Sequence, residues 1–125
     1  MRVARRRGRG TLGWWAALVL LNGLLAGRTA SACVGLWDAR TGRLLRELDG
    51  SRSSGRALAF SPDGRLLAGG DYRGCVKLWR VESGELAAIS QLGAGEPRSL
   101  AFSPDGRVLA VASGGGGIEL FVVRE

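Results

Sequence analysis

Few residues of this chain could do chemistry, and their spacing sorts them quickly. Asp63 and Asp105 are carboxylates that could share general acid–base work. Each, however, sits third in the same tetrapeptide, Ser61-Pro62-Asp63-Gly64 and Ser103-Pro104-Asp105-Gly106. Proline second and glycine last are β-turn chemistry, so the turn explains both acids. Gly114-Gly115-Gly116-Gly117 suggests a phosphate cradle, yet no Lys and Ser/Thr follow and the next residues read as a strand, not a helix. A permissive hairpin turn fits it better. Trp37 and Trp79 could stack on nucleobases, but they recur at equivalent places, which favours core packing. Histidine is absent, excluding a Ser-His-Asp triad, a histidine base and a histidine-ligated zinc site. These residues point to no catalytic group, cofactor, metal or small-molecule substrate.

The elements that must position these residues are organised by a repeat. Ala59-Phe60-Ser61-Pro62-Asp63-Gly64-Arg65-Leu66-Leu67-Ala68 returns, at an offset of 42, as Ala101-Phe102-Ser103-Pro104-Asp105-Gly106-Arg107-Val108-Leu109-Ala110. The same offset relates Leu36-Trp37, Leu78-Trp79 and Leu120-Phe121, and Cys33-Val34 with Cys75-Val76. A period of this length marks a solenoid or propeller array, not one compact core. Turn signals separate short apolar runs, so strands are expected near 33–37, 43–48, 56–60, 65–70, 75–80, 86–90, 98–102, 107–112 and 117–123. Runs such as Leu66–Ala68 and Ile118–Val123 are apolar on both faces, as in a sheet held between two others. Four short strands in each period make the blade of a β-propeller. Neighbouring sheets pack about 10 Å apart, too far for Cys33 and Cys75 to form a disulfide; two small buried thiols are expected.

Composition is globular, with 46% apolar and 23% charged residues in 125. The net charge of +7 resembles a nucleic-acid signature, but five of the 18 basic residues are Arg2, Arg5, Arg6, Arg7 and Arg9. Residues 14–125 keep the remaining 13 against all 11 acids. The excess is thus a basic N-terminal arm, 1–13, expected to be solvated, and points away from a nucleic-acid partner. Residues 14–32 read in two ways. A basic start, a short apolar run and Ala30-Ser31-Ala32 describe a secretory signal peptide. The period instead makes Leu18–Leu21 and Leu24–Gly27 a strand pair joined by Asn22-Gly23, a tight hairpin turn.

The Leu-Ala-Phe-Ser-Pro-Asp-Gly-Arg stretches at 58–65 and 100–107, Leu36-Trp37-Asp38 and Leu78-Trp79 resemble the WD40 repeat family over roughly residues 24–125. The resemblance implies an all-β fold, a partial β-propeller of about three four-stranded antiparallel blades in an open arc, with 33–125 the repeat region. Trp37, Asp38, Trp79, Phe121 and the two Pro-Asp-Gly turns (Pro62, Asp63, Gly64, Pro104, Asp105, Gly106) are its structural positions. It further implies a non-catalytic protein–protein interaction platform whose partners are other proteins or further blades, at work in the cytoplasm or elsewhere inside the cell. The alternative is an exported repeat protein, secreted or periplasmic, that binds a ligand or partner outside the cytoplasm. The sequence departs from the family in lacking its Gly-His pair, while Ser31, Arg73 and Gly115 replace its turn aspartate. The blades are therefore expected to rely on packing alone. Propellers typically close with 4–8 blades, so three repeats suggest a fragment or short isoform, with Leu18, Leu20 and Leu24 bare at one end and Val108, Ile118 and Leu120 at the other.

Overall fold

The computed structural model describes residues 18–93 and 95–124, so the basic arm and residues 14–17 lie outside the described residues. Eleven strands carry all the regular structure in them. The first sheet is β1 (Leu18–Leu21), β2 (Leu24–Arg28), β3 (Val34–Asp38) and β4 (Leu44–Glu47). The second is β5 (Ala57–Phe60), β6 (Leu66–Gly70), β7 (Cys75–Arg80) and β8 (Leu86–Gln91). The third is β9 (Pro97–Phe102), β10 (Val108–Ser113) and β11 (Ile118–Val122). Each sheet is an antiparallel meander in chain order, and the three do not close into a ring. Among the described residues no helix is long and apolar enough to cross a membrane.

The repeat is realised residue for residue in the pairing. Leu25 faces Trp37, Leu67 faces Trp79 and Leu109 faces Phe121, each pair one full period beyond the last. At Trp37 and again at Trp79 the register to the next strand slips by one residue, a bulge of the kind that sharpens local twist. Asn22-Gly23 is the hairpin turn between β1 and β2, both residues at positive φ. Gly64 and Gly106 close the two Pro-Asp-Gly turns, also at positive φ, which glycine adopts without a Cβ clash.

Two cores lie between the sheets. Ala26, Val34, Leu36 and Leu48 of the first sheet and its flank pack on Leu58, Leu67, Trp79 and Val81 of the second. Ala57, Ala68, Val76 and Leu92 pack on Leu100, Leu109 and Val111 of the third, with Phe121 half-buried beside them. Consequently β6, with a sheet on either side, is buried at every position. The fit is tight at Gly69, where a Cβ would stand 2.7 Å from Trp79 Cζ3 and 2.9 Å from the Ser54 carbonyl oxygen.

Three expectations are corrected. First, the sheets do not rely on packing alone. The loop after β4 ties them with hydrogen bonds: Trp79 Nε1 donates to the Asp49 carbonyl at 2.7 Å, Lys77 Nζ to that of Gly50 at 2.7 Å, and Val34 N to the buried Ser51 hydroxyl at 2.8 Å. Second, Cys33 and Cys75 are free but half-buried, because each follows a surface turn; Cys75 Sγ donates to Gln91 Oε1 at 3.2 Å. Third, the bare ends differ from those expected. Leu24 pairs with Leu21 on the face turned to the second sheet and packs on the first core, and Val108 is half-buried. Leu20, Ile118 and Leu120 are exposed. The side chain of Leu18 lies outside those described.

Candidate functional site

The two Pro-Asp-Gly turns are built alike. Asp63 Oδ1 accepts the Arg65 backbone N–H at 3.0 Å and the Ser61 hydroxyl at 2.7 Å, and that hydroxyl accepts the Leu66 N–H. Asp105 Oδ1 accepts the Ser103 hydroxyl at 2.6 Å and the Arg107 N–H at 3.0 Å, with Val108 N–H on the serine. The carboxylates are in separate turns and each is engaged locally. Both are held below the ordinary value of 3.8, Asp63 chiefly by the Arg65 N–H and then Ser61, Asp105 chiefly by Ser103 and then the Arg107 N–H. A carboxylate depressed on folding stabilises the fold above its unfolded pKa and loses that contribution as pH falls through the folded one. The melting midpoint should therefore keep the full contribution of these two groups above about pH 5 and lose it progressively below about pH 4. Acid titration of the Asp63→Asn/Asp105→Asn variant should show a shallower fall than the parent chain.

Pro62 and Pro104 occupy the second positions of these turns, exposed, where fixed φ presets the bend. Asp38 turns back on its own loop, its Oδ1 accepting the Arg40 N–H at 2.8 Å and the Thr41 N–H at 3.3 Å. Trp37 and Trp79 are 3% and 0% exposed, so neither offers a face to a ligand. Phe121 takes the same register position in the third sheet. Gly114–Gly117 is the turn between β10 and β11, with Gly116 at φ 89°. Among the described residues no three of histidine, cysteine, aspartate and glutamate converge where they could hold a metal. These sequence-derived positions are spread over the three sheets and do not converge on one site, though Gly64 lines the groove described below.

What the molecule does present is an uncovered sheet face. Along β11, Ile118, Leu120 and Val122 are 72%, 68% and 70% exposed. The equivalents of the first two in the second sheet, Val76 and Leu78, lie in the core against the third sheet. The sequence places Ile118–Val123 between two sheets, whereas among the described residues one side is empty. Among the described residues no strand pairs with the outer edge of β11, while β8 closes the corresponding edge of β7 with Cys75 opposite Gln91 and Trp79 opposite Leu86. A groove of about 810 Å³ lies on the second sheet, where Leu66, Leu78, Val81 and Ala88 share its wall with Arg80, Glu82, Ser83 and Glu85, and Arg124, just past β11, reaches it from the third sheet. In the second sheet Leu86 fills the matching position, packed on the first core. The apolar run was readable in the sequence. The groove was not, since it arises from two sheets meeting without a fourth strand.

The family model described as WD domain, G-beta repeat, matches residues 42–80 and 91–121. The fold is similar to the crystal structure of the WD40 beta propeller domain of Doa1, with a TM-score of 0.73 and 22% sequence identity. That match covers 87% of this chain and 36% of the solved one, so this chain spans about a third of the propeller it resembles. At this identity the likeness is one of fold. No curated protein matches the chain in sequence.

Proposed function

The chain belongs to the WD40 repeat family, and from that premise we propose that it is a non-catalytic protein–protein interaction platform. The observation that carries this reading is β11, an edge strand with three exposed apolar side chains, whose following residue Arg124 reaches a groove of mixed apolar and charged lining on the second sheet. Unpaired N–H and C=O groups along such an edge template the addition of a strand. Main-chain hydrogen bonds then supply affinity, and the groove selects alternate side chains. The partner is a protein that contributes an extended segment or a further propeller blade. Its work is intracellular, a reading supported by β1 and β2, which pair into the first sheet and would be lost by cleavage near Ala32.

A peptide tests the edge. The segment Gly84–Leu92 contains β8, the strand that completes the second sheet on β7. Given in trans, it should bind the open edge of β11, and Ile118→Lys/Leu120→Lys should abolish the binding. No binding to the folded chain, or equal binding to the variant, would remove β11 as the docking edge.

A further inference from the structure

A second surface lies at the end of the sheets where Arg56 N donates to the Gly70 carbonyl, Leu92 N to that of Gly74 and Gly114 N to that of Glu96. Arg56 and Arg98 hold equivalent positions in successive repeats, at the entry to β5 and within β9. A cleft of about 330 Å³ is lined by Arg56, Glu96, Pro97 and Arg98. Pro97 seats against Gly70, in space that a Cβ there would occupy, which fixes the floor. Arg98 lies along the Gly114 backbone, its Nε only 2.9 Å from where a Cβ would be, so glycine at this turn keeps the guanidinium in place.

Charge around the cleft is unbalanced. Glu96 reaches Arg56 at 4.0 Å, the outer limit of an ion pair, and both side chains remain open to solvent at 35% and 55% exposure. Asp71 is committed to the N–H groups of Arg73 and Cys75, and Glu119 to that of Gly93. Within the cleft lining Glu96 is then the one carboxylate set against Arg56 and Arg98. At the opposite end Arg65 and Arg107 also share one repeat position, but each stands beside a turn aspartate that attracts it.

We propose that this cleft binds an acidic segment of a protein partner, one carboxylate displacing Glu96 from Arg56 and bridging to Arg98. Guanidinium–carboxylate pairs are among the stronger polar contacts, and two from adjacent sheets would fix the segment's direction. The proposal rests on the interaction-platform reading and names the chemistry of a partner for it.

Fluorescence anisotropy with a labelled hexaglutamate peptide tests it at low salt, where such contacts are least screened. Arg56→Gln/Arg98→Gln and Arg65→Gln/Arg107→Gln remove the same charge from opposite ends, so the basic arm contributes equally to both. The first pair should weaken binding at least about tenfold, the loss expected of a charge-assisted contact. The second should stay within about twofold, and Glu96→Gln should tighten binding by freeing Arg56. Equal weakening by both pairs, no weakening by the first, or no gain from Glu96→Gln overturns the proposal. Failure of the peptide while the Gly84–Leu92 segment still binds β11 overturns the acidic site and leaves the platform reading standing.

Discussion

Trp79→Ala should destabilise the protein by about 3–5 kcal/mol, the range for deleting a buried aromatic. Trp79 is fully buried in the first core, opposite Leu67, and packs against the face of β6 that glycine leaves open at Gly69. Its indole N–H also anchors the Asp49 carbonyl, so the substitution frees the loop that carries Ser51 into the first sheet. An orphaned carbonyl adds to the cavity term. In a domain of this size the melting midpoint should fall by more than about 10 °C. An unchanged midpoint with loss of binding to a partner would make Trp79 a surface contact and contradict the core assignment.

How much of this was legible beforehand differs from residue to residue. The Pro-Asp-Gly turns and the Leu-Trp pairs were readable because a repeat writes the same backbone solution twice or more, and local turn chemistry needs no tertiary help. The bulges at Trp37 and Trp79 left no mark in the sequence; a one-residue slip is a compromise between packing the indole and keeping the ladder. The ties through Asp49, Gly50 and Ser51 were missed for a related reason. A serine and two backbone carbonyls carry no motif, and only the folded loop brings them to Val34, Lys77 and Trp79. At the surfaces the sequence showed that Ile118 and Leu120 are apolar, but a sheet must be absent on one side for that to mean exposure. Arg56 and Arg98 were equivalent by number all along; the cleft between them needed the packing of Pro97 on Gly70.

The second large effect is on assembly. Ile118, Leu120 and Val122 stand in a row on one face of a strand that, among the described residues, pairs on one side alone, with β10. Contiguous exposed apolar surface beyond a few hundred Å² is uncommon on stable monomers. The purified chain should therefore associate through this edge, and Ile118→Lys/Leu120→Lys should dissolve the association by placing two charges where a strand must be desolvated. Both substituted side chains already face solvent, so the variant should melt close to the parent chain.

Sedimentation velocity of the purified chain beside that variant is the most direct measurement of whether the β11 face recruits protein. The parent chain should sediment as a species larger than its 13.1 kDa monomer, and the variant as the folded monomer. A sharp parent monomer that unfolds cooperatively across the concentrations studied would contradict the interaction surface assigned to β11.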